Sequence, residues 1–131
     1  MHTLNAYTVL REGKPFIVGG TPGADFQVQG NTQMITGIID FGVPVQSLVD
    51  GPRWYSTPGS DPPTINEPYE LLIEPWMPEE TVKDLKRYGH NINVEESGAG
   101  HGIVQLIQLD QTTGVLKGAS DPRADGHAVG L

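Results

Sequence analysis

Between a strand-like run ending near Gly19 and a helix-like run starting near Phe26, the residues Thr21-Pro22-Gly23-Ala24-Asp25 put backbone N–H groups where a strand meets a helix. Glycine turns the chain through conformations closed to other residues, and the first turn of a helix leaves its N–H groups unpaired and partly positive. Two such amides suit a developing oxyanion. Pro22 fixes the start of the turn, and Asp25 is placed to cap the helix that begins at Phe26. No nucleophile accompanies the turn. The plainer reading of the same residues is a tight strand-to-helix connection with a capping aspartate.

Other reactive residue types are spread more thinly. His2, His90, His101 and His127 offer no ligand pair at helical spacing or across a short turn, and cysteine is absent, so no metal site is expected. His101 follows Ser97-Gly98-Ala99-Gly100 and reads either as a residue that reaches a site or as a solvated loop histidine. Glu67, Glu70 and Glu74, spaced by three and four, read as an acid/base set or as a solvated face. Asp121 and Arg123 flank a proline and read either as a buried ion pair that shapes a site from behind or as a surface turn with a capping aspartate.

An ordered series says more than any one motif. After Thr21-Pro22-Gly23-Ala24 come Asp40-Phe41-Gly42, Gly51-Pro52-Arg53-Trp54, Gly89-His90 and Gly118-Ala119-Ser120-Asp121-Pro122-Arg123, with Gly126 beyond them. From about His2 to Gly130 this series resembles the C-terminal part of the gamma-glutamyltranspeptidase family, N-terminal-nucleophile enzymes whose precursors cut themselves to expose a catalytic Thr. The resemblance implies an α+β fold, the C-terminal portion of an αββα sandwich. It assigns oxyanion-hole amides to Gly23 and Ala24, with Ala24 standing where the family carries a second glycine. It assigns the donor carboxylate to His2 and Thr3, where the family has a Ser-Ser pair and this chain keeps one hydroxyl.

The family's nucleophilic Thr and the residues that grip the donor's amino group lie upstream of His2 in this match. The expectation is therefore a C-terminal fragment, inactive alone, that acts with a missing N-terminal segment or large subunit on a gamma-glutamyl or related amide. A non-catalytic scaffold or assembly domain is the alternative. No cofactor is implied. A fragment cut from a two-sheet sandwich leaves one sheet face uncovered, so self-association through apolar residues such as Phe16, Val104 and Leu106 is expected.

Composition bounds the rest. A chain of 131 residues with 37% hydrophobic residues is one domain's worth and can bury a core. Sixteen acidic against eight basic residues give a formal charge of −8, which opposes binding to nucleic acid and to anionic membranes. No apolar run approaches the roughly 20 residues of a membrane span, and no signal segment opens the chain. The compartment stays open.

Several elements must position these residues. Ala6–Leu10 and Pro15–Gly19 read as strands of a hairpin turning at Arg11-Glu12-Gly13-Lys14. From about Asp25 to Asp40, Phe26, Met34, Ile35, Ile38 and Ile39 form one apolar stripe, and Gly30 and Gly37 suit close approach to a sheet. A short helix over Pro44–Val49 precedes Arg53-Trp54-Tyr55, which leads into a Pro- and Ser-rich loop. Tyr69–Ile73 reads as a strand, and Pro78–Tyr88 as an outer, half-exposed helix stopped by Gly89. Ile103–Leu109 and Val115–Ala119 form a second hairpin, its first strand apolar on both faces and so expected to be covered on both.

Overall fold

The structure, a computed structural model, describes residues 5–59, 65–96 and 102–130. In chain order these form β1 (Asn5–Arg11), β2 (Lys14–Thr21), α1 (Phe26–Ile39), α2 (Val45–Asp50), β3 (Trp54–Thr57), β4 (Glu70–Ile73), α3 (Glu79–Arg87), β5 (Ile92–Val94), β6 (Gln105–Leu109) and β7 (Leu116–Ser120). The chain divides into two compact units, Met1–Gly51 with Gly102–Leu131, and Pro52–His101.

The first unit is an antiparallel sheet in the order β1-β2-β6-β7. Both hairpins foreseen in the sequence are present. The first turns through Glu12 and Gly13, both at positive φ, the signature of the two-residue turn whose twist matches its strands. A register irregularity lies just after Val9, so Phe16 joins Ile17 in the core although the two are neighbours in sequence. In the second turn, the Thr113 and Thr112 amides donate to the Asp110 carboxylate and hold its pKa below the usual range. The side-chain amide of Gln111 reaches back to the carbonyls of Arg11, Lys14 and Pro15, tying one hairpin end to the other.

One face of this sheet carries Tyr7, Val9, Ile17, Leu106 and Ala119, side chains that the register places on the same side. Helices α1 and α2 cover it with Met34, Ile38, Val45 and Val49, and Val104 closes the cluster. Burial pushes the Tyr7 phenol up to about 12. Gly37 of α1 faces Leu48 of α2, and Gly30 lies under the ring of Phe26. The helix glycines therefore admit a neighbouring helix and an aromatic ring, not the sheet.

The opposite face differs from expectation. Val18 (38% exposed) lies opposite Ile107 (42%), and Leu109 lies opposite Leu116 (63%) on that side. β6 is thus covered on one face only. Phe16, Val104 and Leu106, expected at the open surface, are core residues: alternation turns Leu106 inward and Ile107 outward, while the register irregularity lets Phe16 turn inward although Val18, two residues on, faces out.

The second unit is a sheet in the order β3-β4-β5, antiparallel between β3 and β4 and parallel between β4 and β5. α3 makes the crossover that a parallel pair requires. Its charges suit the helix dipole, with Glu79 and Glu80 in the first turn and Lys86 and Arg87 in the last. Gly89 and His90 donate to the carbonyls of Lys86 and Leu85, closing the end in a Schellman pattern. None of its residues is buried, as the narrow apolar face implied.

Candidate active site at the β2–α1 turn

β2 ends at Thr21 and α1 begins at Phe26, so Pro22-Gly23-Ala24-Asp25 form the connection. Gly23 has φ +130 and Ala24 φ +50. The left-handed region costs an L-residue about 1–2 kcal/mol, and such strain persists only where the surroundings fix it. Ala24 holds a conformation that a glycine would take freely.

Hydrogen bonds fix it from the protein side. Phe26 N–H donates to Gly23 O at 2.9 Å, and Gln27 N–H to Ala24 O at 3.0 Å. The Thr21 hydroxyl donates to Pro22 O at 2.7 Å and accepts the N–H of Ile103 at 3.0 Å. The peptides of the turn are trans, so each N–H points away from the carbonyl of its own peptide unit. The Gly23 amide thus points away from Thr21, and the Ala24 amide away from the start of α1. Among the described residues neither amide donates a hydrogen bond. Two consecutive donors without partners, at a helix start, can hold a negative oxygen.

Asp25 does not cap α1 as expected. Its backbone is already helical (φ −64, ψ −22), whereas a capping side chain needs an extended backbone to reach the N2 or N3 amide. The carbonyls of Gly23 and Ala24 accept from the first helical amides.

The site rests on a buried polar frame. Gly102, at φ +69, lies so close that any Cβ would collide with the Thr21 hydroxyl, the Pro22 carbonyl and the Phe26 ring. Two residues on, Val104 N–H donates to Asp121 Oδ2 at 2.6 Å. Asp121 Oδ1 accepts from Arg123 N–H at 3.0 Å and from its guanidinium at 3.1 Å. That guanidinium also donates to Val49 O and Gly51 O, each at 3.0 Å. The pair is buried, with side-chain exposures of 8% and 0%, so the surface-turn reading of Asp121 and Arg123 is set aside.

His2 and Thr3, assigned to a donor carboxylate, lie outside the described residues, as does His101. Gly23 and Ala24 lie in the turn between β2 and α1. The glutamates form neither a catalytic set nor a shared solvated face. Glu74 is fully buried and accepts the Arg53 backbone N–H at 2.7 Å, Glu70 accepts from Asn93, and Glu67 is exposed. Among the described residues no group of three His, Cys, Asp or Glu could hold a metal, and no helix is long and apolar enough to cross a membrane. Sequence reasoning missed the Thr21 hydroxyl. Its only signal was a hydroxyl residue at the last strand position before the turn.

Comparison with known proteins identifies the family and the fold. The chain is 36% identical over 132 residues to a glutathione hydrolase-like proenzyme, YwrD, of Bacillus subtilis, covering 99% of this chain and 24% of that protein. Its structure is similar to a cephalosporin acylase from Bacillus halodurans, with TM-score 0.79, 34% identity, and 92% and 21% of the two chains covered. It is also similar to a mutant Helicobacter pylori gamma-glutamyltranspeptidase, with TM-score 0.77, 29% identity, and 95% and 62% covered. The α+β fold is that of the N-terminal-nucleophile hydrolases, and the chain spans about a quarter of the length of the curated relative it matches. With the gamma-glutamyltranspeptidase family profile matching residues 1–131, the whole chain, the protein belongs to the gamma-glutamyltranspeptidase family.

Proposed function

We propose that this chain supplies the oxyanion hole of a gamma-glutamyltranspeptidase-like enzyme, the N-terminal Thr nucleophile being carried by another part of the longer protein. The observation that carries this reading is the pair of amides at Gly23 and Ala24 that donate to no partner among the described residues, each on a peptide whose carbonyl is already engaged. As the Thr oxygen bonds to the amide carbon, the carbonyl π electrons move to oxygen, and the Gly23 and Ala24 N–H groups receive that charge. The Thr hydroxyl proton is given up as its oxygen bonds to carbon, and collapse of the tetrahedral species re-forms the carbonyl and expels the amine, which takes up that proton. Water or a second amine then resolves the acyl-enzyme. The substrate is a gamma-glutamyl or related amide, with His2 and Thr3 at the donor carboxylate. Relatives named for glutathione and for cephalosporin support an amide substrate of this kind.

The purified 131-residue chain, folded, is expected to release no aniline from a gamma-glutamyl anilide, while the longer enzyme containing it does. Turnover by the isolated chain above the rate of a heat-denatured sample would show that the nucleophile lies within it and sink the proposed division of labour.

The open sheet face bears on partners. Val18, Ile107 and Leu116 form an apolar surface that the remainder of the longer protein would cover. Alone, the chain is expected to self-associate through it, and Ile107→Lys, which sets a charge at its centre, shifts the population toward monomer. Sedimentation velocity over a range of concentrations checks this. Equal association of the two proteins would place the contact elsewhere.

A further inference from the structure

Resting on the oxyanion-hole reading, we infer that Thr21 is a positioning residue for the Gly23 amide, acting through the Pro22 carbonyl. Thr21 is 3% exposed, and its hydroxyl has two partners whose chemistry leaves no ambiguity about its proton. Pro22 O can only accept and Ile103 N–H can only donate, so the hydroxyl gives its proton to Pro22 O (2.7 Å) and receives that of Ile103 (3.0 Å). Pro22 C=O and Gly23 N–H belong to one planar trans peptide, so holding the oxygen sets the direction of the hydrogen.

The two amides of the hole are held by different means. Ala24 N–H is set through Gly23 O, which is bound by the first amide of α1, a backbone contact that no substitution at Thr21 touches. Among the described residues Gly23 N–H has no such backbone hold. Its carbonyl partner is met by a side chain, and that side chain is itself fixed by Ile103, whose neighbour Val104 is bound to the buried Asp121. Gly102 makes the arrangement compact, since a side chain there would strike both the hydroxyl and the Pro22 carbonyl. Thr21 thus links the Asp121 and Arg123 frame to one of the two donors. Electrostatic stabilisation requires donors aimed in advance, and a misplacement of the order of 1 Å costs up to about 10²-fold in rate.

The test uses the full-length enzyme that carries this segment, assayed with a gamma-glutamyl anilide. Thr21→Val keeps the shape and removes the hydroxyl, and it is expected to lower kcat by about 10- to 100-fold with KM nearly unchanged, because the interaction matures only in the transition state. Thr21→Ser keeps the hydroxyl and restores kcat to within about threefold of the parent. Thr21→Cys, a weaker donor of similar size, falls between them. Should the valine variant not fold, the serine and cysteine pair carries the test.

A purely structural Thr21 would lower melting temperature without splitting kcat from KM, so valine or cysteine variants at parental kcat overturn the inference. The underlying reading is tested separately by removing the Ala24 amide. If that removal cripples turnover while the Thr21 variants do not, only the positioning role fails. If neither matters, the oxyanion assignment fails with it.

Discussion

Replacing Ala24 by L-lactic acid in the full-length enzyme is expected to lower kcat by about 10²–10³-fold, the loss typical of one oxyanion donor and the one the proposed role of its amide requires. The ester removes one N–H and keeps the methyl, the trans geometry and the freedom to sit at φ +50. Proline, the obvious genetic way to delete that N–H, is unsuitable, since its ring fixes φ near −65° and would reverse the turn as well as remove the donor. Ala24→Gly makes the opposite control. It keeps the amide and relieves the left-handed strain, so kcat stays within about threefold and stability rises by about 1 kcal/mol. Rapid-quench measurement of acylation separates chemistry from product release. An ester variant that acylates at the parental rate would remove the Ala24 amide from the reaction, whatever the glycine variant does.

Arg123→Ala is expected to cost about 3–5 kcal/mol of folding stability, the range found when one partner of a buried ion pair is deleted and the other stays behind. The Asp121 carboxylate, wholly buried, would lose its guanidinium, and the carbonyls of Val49 and Gly51 would lose a donor in the same step. Small domains have roughly 5–15 kcal/mol in total, so the variant sits close to the unfolding threshold. Urea titration reads this as a lower midpoint at unchanged slope. Asp121→Asn with Arg123→Ala should cost less than the sum of the two single changes, because no buried charge is then stranded. Additive costs, or a midpoint within about 0.3 M of the parent for Arg123→Ala, would show that the pair does not hold the unit together.

The parts of this fold that were legible in the sequence share one property: their signals are local. The Glu12-Gly13 turn, the Met34 and Ile38 stripe and the charged ends of α3 with Gly89 after it each lie within a few residues of the structure they determine. β3 and β5 went unread. Trp54–Thr57 runs directly into Pro58, and Ile92–Val94 is three residues beside asparagines, so neither carries a period long enough to detect. Their pairing is fixed by β4 between them, a long-range fact. The Arg53 and Glu74 burial escaped notice for the same reason, since only the meeting of β3 and β4 makes one the backbone partner of the other. At the site, the sequence marked Gly23 and Ala24 through a motif, yet the strain at Ala24 and the proton of Thr21 are properties of geometry alone.

Gly51 and Gly102 bound the excursion of the chain into its second unit, and each end is pinned within the first: Arg123 holds the carbonyl of Gly51, and Thr21 holds the amide next to Gly102. Closing a loop costs only about 0.6 kcal/mol for each doubling of its length, so the roughly fifty residues between them weigh little on the first unit whether they grow or shrink. Descendants of this fold can therefore exchange, lengthen or trim that interval, and with it whatever surface it presents, while the turn bearing the two amides keeps its shape.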